Sequence, residues 1–277
     1  MLNFRSVDDM NQLIKNKLHL IPDVDCVAGV PRSGMLPATL IALYLGKPLV
    51  SVESLRYGDY CTLTNRVKLN SRVRRVLVVD DSCSSGNAMN KVRDMLSTVK
   101  NKKFVYCAVY VTEASKDKVD FYFDIVEQWR MWEWNIMDHL VLGSSCVDMD
   151  GVLCVDPTDE QNDDGEKYLK FLAEAKPKFI PTHKIKAIVT CRLEKYRAET
   201  ELWLKKYDVK YDKLYMMDFP DKVSRLKFGD HAKYKADIYT QSGAVLFIES
   251  NSLQASNIYF RTNKPVYCIS DNTFRGG

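Results

Sequence analysis

Strand-like and helix-like segments alternate through both halves of this 277-residue chain, which predicts an α/β protein of two domains, each a parallel sheet with helices on both faces. Three observations carry the expectation. Short apolar runs bounded by turn residues alternate with longer segments of helical period. Two of those runs end in paired acids, VLVVDD at residues 76–81 and CVDMD at residues 146–150. The length suits two domains at about 100–200 residues each, and either half could bury its own core.

The amino terminus reads as an amphipathic helix capped by Ser6, with Met10, Leu13, Ile14 and Leu18 on its buried face. Residues 25–30 form a strand, 36–45 a helix, 48–52 a strand, 76–79 a strand, 87–99 a helix and 104–111 a strand. A second series begins at Cys146 and continues with strand 187–190, helix 198–207, strand 213–216, helix 232–240 and strands 245–249 and 266–269. There is no internal repeat and no low-complexity tract. The acidic segment 156–166 reads as a surface loop. The domain boundary belongs near residues 138–144, giving domains 1–140 and 141–277.

Composition narrows the function classes. A hydrophobic fraction of 46% and a charged fraction of 27% are those of an ordinary soluble globular protein. The formal charge of +4 is spread along the chain, which argues against a nucleic-acid partner. Eight cysteines without a CxxC pair argue against a zinc site or a secreted disulfide framework, and so for reducing cytoplasm. Acids and amides interrupt the amino terminus where a signal peptide needs an apolar run. The longest apolar stretch, residues 38–45, is far too short to span a membrane, so any membrane contact is peripheral.

Ligands of open parallel sheets bind beyond the carboxyl ends of the strands. In the first half, GVPRSGM at residues 29–35 follows one strand and opens a helix, placing its amides and Arg32, Ser33 and Gly34 to take a pyrophosphate. At the end of the next, Asp80 and Asp81 suit vicinal ribose hydroxyls. The small-residue turn of Ser82, Cys83, Ser84, Ser85, Gly86 and Asn87 suits a terminal phosphate. The polar, basic segment 56–74 between them reads as a hood.

This acid-acid, small-residue loop resembles the hallmark of type I phosphoribosyltransferases. The resemblance covers about half the chain and implies phosphoribosyl pyrophosphate as donor, magnesium as cofactor, and displacement of pyrophosphate at the anomeric carbon. Arg66, Lys68 and Arg72 are candidates to close over the pyrophosphate. Purine-type relatives carry lysine where this chain has Thr112 and an aspartate where it has Ser84, so the purine pattern is broken at two acceptor-facing positions. Trp129, Trp132 and Trp134 are either stacking platforms for a base or sugar or core aromatics. Glu113 is the candidate acceptor base.

In the second half, acids one residue apart at a strand end can hold a metal ion and leave an oxygen free to attack phosphorus. DMDGVL resembles the first motif of the haloacid dehalogenase superfamily, and the later motifs follow in order. The resemblance implies Asp148 as nucleophile, Asp150 as acid and base, Thr190 as the phosphate-binding hydroxyl, and Lys235, or else Lys233, as the neutralising cation. Magnesium would be held by Asp148, Asp150 and Glu249, although Ser250 stands where relatives often have a second acid. The spacing leaves no room for a cap domain, and an open site suits bulky phosphorylated substrates.

A transferase that leaves ribose 5-phosphate on its acceptor, joined to a phosphatase, adds up to ribosylation. The combination resembles bacterial glycan phosphoribosyltransferase and phosphoribosyl phosphatase systems. The expected acceptor is therefore a glycan hydroxyl, lipid-linked or free, in ribofuranose-containing polysaccharide synthesis. The alternatives are nucleobase salvage fused to a nucleotidase, and a non-catalytic phosphoribosyl pyrophosphate sensor. Oligomeric state is left open.

Overall fold

The structure, a computed structural model, describes residues 2–57 and 73–276. Arg66, Lys68 and Arg72 of the expected hood lie outside these residues. The chain divides into two compact units, Arg5–Trp134 and, together, Met1–Phe4 and Asn135–Gly277.

Its first part runs β1 (Asn3–Arg5), α1 (Val7–Lys17), β2 (Cys26–Gly29), α2 (Met35–Leu45), β3 (Leu49–Ser51), α3 (Val52–Tyr57), β4 (Arg75–Cys83), α4 (Asn87–Leu96), β5 (Lys103–Val111), β6 (Phe121–Ile125) and β7 (Arg130–Trp132). Ser6 and Asp9 start α1 with a reciprocal cap: the Asp9 amide donates to Ser6 Oγ at 3.0 Å and the Ser6 amide to Asp9 Oδ2 at 2.8 Å. Met10 and Ile14 are buried, whereas Leu13 and Leu18 pack only partly against the same core.

Five strands pair in parallel in the order β3-β2-β4-β5-β6. Val76 and Val78 of β4 face one core with Val52 and Leu55 of α3 and Met89, Val92 and Leu96 of α4. Leu77 and Val79 face the other, with Met10 and Ile14 of α1 and Ala38, Ile41 and Ala42 of α2. A strand covered on both faces is apolar throughout, which is why this run shows no alternation in the sequence. Each such side chain contributes about 1.5–3 kcal/mol by leaving water.

The second part runs β8 (Ser145–Val147), α5 (Glu166–Glu174), β9 (Ile185–Leu193), α6 (Arg197–Lys206), β10 (Tyr211–Met217), α7 (Lys222–Phe228), α8 (His231–Gln241), β11 (Leu246–Glu249), α9 (Ser252–Thr262), β12 (Val266–Cys268) and β13 (Thr273–Arg275). Its sheet has the order β10-β9-β8-β11-β12-β13, parallel except where β13 meets β12. Cys146, Ala187, Val189 and Phe247 meet Ala236 and Tyr239 of α8 and Ala255 and Ile258 of α9. Val147, Ile188 and Ile248, in the alternate register, are buried as well.

The chain is thus a mixed α/β protein of parallel sheets and covering helices. β4 outruns the expected strand because its pairing with β5 continues to Cys83 opposite Val111, so Asp80 and Asp81 lie within the strand. Helix α4 stops at Leu96, where the Ser97 side chain and amide both bond the Asp94 carbonyl. No helix among the described residues is long and apolar enough to cross a membrane. The described cysteines are all free.

Both sheets reverse their winding once. From β2 the chain moves outward to β3 and then crosses to β4; from β8 it moves out through β9 and β10 and then crosses to β11. At such reversals the connections leave in opposite directions and open a crevice beyond the strand carboxyl ends.

Candidate functional site

At the β2/β4 reversal, Gly34 is pressed against the end of β4. A Cβ there would stand 2.6 Å from the Val30 carbonyl, 2.8 Å from Asp80 Oδ1 and 2.8 Å from the Val79 carbonyl, so only glycine permits the approach. Arg32 and Ser33 occupy the turn just before it, with Arg32 exposed. The residues 29–35 segment and the Asp80–Asp81 pair are therefore brought together, as separate stretches of sequence could not show.

Asp80 is buried, and its Oδ1 accepts from the Asp81 amide at 2.9 Å. Burial, and then the neighbouring charge of Asp81, push its carboxyl up to about 8. Asp81 Oδ2 accepts from the Trp134 indole at 2.7 Å. Trp134 lies parallel to Trp132, with ring centroids 5.5 Å apart, and Trp132 stacks in turn on Tyr110. Trp132 is core, Trp134 reaches the acid pair, and Trp129 is exposed.

Beyond the acids, Ser82 to Asn87 turn into α4. Gly86 has φ of +79° and no side chain to cap α4, and Ser85 Oγ accepts from the Asn87 amide at 3.3 Å. Lys118 crosses this loop and donates to the Ser85 carbonyl at 2.6 Å. Ser115 donates to the Cys83 carbonyl at 2.8 Å, and Arg130 donates to the same oxygen at 3.3 Å. Ser84 is exposed and accepts from Gln128 at 3.1 Å, while Cys83 is buried. Thr112 is buried, its hydroxyl bonded to Ser115 at 2.9 Å. Glu113 is exposed and paired with Lys116.

At the β8/β11 reversal, Lys235 of α8 joins the ends of two strands. Its Nζ donates to Asp148 Oδ2 at 2.9 Å and to Glu249 Oε2 at 2.8 Å. All three side chains are buried. Asp148 Oδ1 takes the Met149 amide, and Glu249 Oε1 takes the amides of Ser250 and Asn251. Burial, then the charge of Glu249, hold the Asp148 carboxyl well above its ordinary range against the pull of Lys235. Burial opposes the charge on Lys235, but the two carboxylates outweigh it and raise its ammonium. Lys233 stays at the surface in an ion pair with Asp237.

Asp150 points elsewhere. It receives a forked ion pair from buried Arg192, Nη2 to Oδ1 at 2.6 Å and Nε to Oδ2 at 3.0 Å. Arg192 also donates to Thr200 Oγ1 at 3.3 Å, and its amide donates to Thr190 Oγ1 at 3.2 Å. Thr190 is buried. Gly151 has φ of +79°, and a Cβ on it would lie 2.2 Å from Ser250 Oγ. Ser250 Oγ donates to the Asp150 carbonyl at 3.2 Å, which ties the end of β11 to the turn after β8.

Carboxylate oxygens are the right donors for magnesium. The three expected ligands do not form a shell, however: Asp148 and Glu249 converge on the Lys235 ammonium and Asp150 on Arg192. Among the described residues no group of three or more His, Cys, Asp or Glu could hold a metal ion.

Arg192, Lys118 and the Trp134 indole were not anticipated in these roles. A strand places i and i+2 on one face, so Thr190 at a strand end also pointed to Arg192. Nothing in the sequence pointed to Lys118.

Residues 5–138 match the model of the phosphoribosyl transferase domain. Among solved structures, the chain is similar to the xanthine-guanine-hypoxanthine phosphoribosyltransferase of Helicobacter pylori, at 18% identity over 49% of this chain and 95% of that one, with a TM-score of 0.38. It is similar also to a purine phosphoribosyltransferase from Pyrococcus horikoshii, at 20% identity over 48% of this chain and 93% of that one, with a TM-score of 0.36. At such scores the likeness carries no further weight. No curated protein matches. The acid pair, the glycine turn and the domain match fall in the same stretch of chain, and residues 5–138 carry a phosphoribosyl transferase domain, a domain of phosphoribosyl pyrophosphate-dependent transfer.

Proposed function

We propose that this chain is a bifunctional enzyme: residues 1–140 transfer 5-phosphoribosyl from phosphoribosyl pyrophosphate to a glycan hydroxyl, and residues 141–277 then remove the 5-phosphate. The observation that carries the second step is the buried Asp148–Lys235–Glu249 cluster at the β8/β11 reversal. A lysine between two buried carboxylates is an expensive arrangement for structure alone, because hydrophobic residues of similar volume would stabilise the fold at least as well.

In the transfer step the acceptor hydroxyl oxygen bonds to the anomeric carbon as the bond from that carbon to pyrophosphate breaks, the hydroxyl proton passing to the departing pyrophosphate, and Asp80 and Asp81 hold the ribose hydroxyls while positive charge develops at the anomeric carbon. The amides of Ser82 to Asn87 hold the 5-phosphate, and Arg32, Ser33 and Gly34 hold the departing pyrophosphate. Thr112 supports a non-purine acceptor: its hydroxyl is buried and already bonded to Ser115, so it has nothing to offer a base. A lipid-linked acceptor needs only peripheral contact with a membrane.

In the hydrolytic step, Asp148 Oδ attacks phosphorus and the bond from phosphorus to the ribose O5 breaks. Asp150, which has to turn toward the phosphoryl group from its pair with Arg192, carries the proton to O5, and it later takes a proton from the water that cleaves the aspartyl phosphate. Lys235 moves its hydrogen bonds onto the phosphoryl oxygens, and Thr190 holds another of them.

The test uses donor labelled in its ribose with a panel of glycans, nucleobases and nucleotides. The proposal expects label on a glycan and release of both pyrophosphate and phosphate. Transfer to hypoxanthine, guanine, xanthine or orotate at about 1 per second or faster would replace it with nucleobase salvage. Donor binding without pyrophosphate release from any acceptor would make the chain a sensor.

A further inference from the structure

We propose that Arg130 is a positioning residue for the donor's 5-phosphate: it holds the Cys83 carbonyl, and through that peptide it aims and polarises the Ser84 amide. The inference rests on the reading of residues 82–87 as the 5-phosphate site and names the group that orders it.

Arg130 stands in β7, 47 residues along the chain from Cys83, and only 9% of its surface is exposed. Guanidinium groups are almost never so buried unless they are paired with an acid. This one forms no ion pair among the described residues. Its Nη1 donates to the Cys83 carbonyl at 3.3 Å, and its Cζ lies 5.4 Å from the centroid of the Trp132 ring. Burial pulls the pKa of the guanidinium down, and Asp81 is the foremost of the neighbouring charges that oppose it. An arginine keeps its proton all the same, so the charge stays.

The Cys83 carbonyl takes two donors, Ser115 Oγ at 2.8 Å as well as Arg130. A neutral hydroxyl is enough to satisfy a carbonyl, so the costly burial of a cation on the same oxygen calls for another reason. The peptide plane supplies it. In a trans peptide the N–H points opposite to the C=O, and the peptide from Cys83 to Ser84 is trans. Drawing its carbonyl toward Ser115 and Arg130 therefore turns the Ser84 amide away from them. Ser84 is exposed, and among the described residues its amide donates to no protein group. A cation on the oxygen also polarises the peptide and makes that N–H a stronger donor.

Charge in the neighbourhood favours the same reading. Asp81 ends the strand beside the turn, and residues 82–87 carry no cation of their own. A phosphate dianion entering there is repelled unless a positive charge lies close, and a buried guanidinium is little screened by salt. The pyrophosphate end of the donor is assigned to Arg32, Ser33 and Gly34 after β2, and gains nothing from this peptide.

The experiment measures displacement of phosphoribosyl pyrophosphate, labelled in its pyrophosphate, from the full chain by ribose 5-phosphate and by inorganic pyrophosphate. Arg130→Met should raise the dissociation constant of ribose 5-phosphate about tenfold and leave that of pyrophosphate within about twofold, while Arg130→Lys, which keeps the charge, should recover part of the loss. Pyrophosphate binding shows at the same time that a variant is folded. Should the methionine variant not fold, Arg130→Gln, which keeps a donor without the charge, takes its place with a severalfold effect expected. Equal weakening of both ligands, or an unchanged constant for ribose 5-phosphate, overturns the positioning role. Donor that wild type releases to pyrophosphate but not to ribose 5-phosphate overturns the 5-phosphate reading of the turn itself, and the role of Arg130 with it.

Discussion

Replacing Lys235 by Met leaves Asp148 and Glu249 facing each other without a cation. Lys235 is 2% exposed, Asp148 5% and Glu249 0%, so water cannot substitute for the ammonium. Two charge-assisted hydrogen bonds, at 2.9 and 2.8 Å, disappear together. Removing one partner of a buried ion pair costs about 3–5 kcal/mol, which is a large share of the roughly 5–15 kcal/mol that stabilises a domain. The loss should depend on pH in a definite direction. Burial and Glu249 already hold the Asp148 carboxyl above its unfolded value, and removing Lys235 takes away what opposed them. A carboxyl raised in the folded state favours folding while protonated and loses that advantage as pH rises above its unfolded value, so the variant should be weaker at pH 8 than at pH 5. Urea-dependent hydrogen exchange of peptides covering β8, β11 and α8 measures the free energy of this unit directly. Adding Glu249→Gln should recover about 1–3 kcal/mol by removing one of the two stranded charges. A Lys235→Met variant within about 1 kcal/mol of wild type at pH 8 would refute the reasoning, because it would mean that the cluster is neutralised some other way.

Asp80→Asn should stabilise the first unit at pH 8.5 and have little effect at pH 5. The buried Asp80 carboxyl is pushed up to about 8, so its burdens grow as pH rises from the unfolded value through that point; melting curves at both pH values check this. Gly151→Ala should destabilise the second unit by about 1–3 kcal/mol, since it combines a φ of +79° with a Cβ 2.2 Å from Ser250 Oγ. Chemical denaturation reads the loss, and the further change Ser250→Gly should return part of it. Arg192→Lys breaks the forked pair to Asp150 and should slow phosphate release about tenfold or more, while pyrophosphate release in the same reaction stays near wild type.

Both candidate sites could be approached from the sequence because strand ends are visible in it. The apolar run before Asp80 and the one before Asp148 mark strands buried on both faces, and a parallel sheet exposes its ligands' partners at their carboxyl ends. What joins the strand ends is set by the sheet order. Lys235 could be named from its motif, but its sharing between Asp148 and Glu249 depends on β8 and β11 being neighbours. Arg192 stands 42 residues from Asp150, and only the pairing of β8 with β9 brings them together. Helices α7 and α9 were missed for a different reason. Val223 and Leu226 on α7, and Leu253 and Phe260 on α9, are exposed, so apolar residues on the wrong side hide the helical period. Trp134 was one of three tryptophans between stacking and core roles; its hydrogen bond to Asp81 combines a ring in the aromatic ladder with a polar tip at the acid pair.

The sequential scheme is tested most directly by mass spectrometry of the acceptor after incubation with phosphoribosyl pyrophosphate, comparing wild type with Asp148→Asn. A neutral amide cannot form the acyl phosphate, so the variant should accumulate acceptor carrying ribose 5-phosphate while the wild type yields acceptor carrying ribose. A folded variant that yields the same dephosphorylated product, or that fails to transfer ribose phosphate at all, would contradict the assignment of two independent sites acting in order.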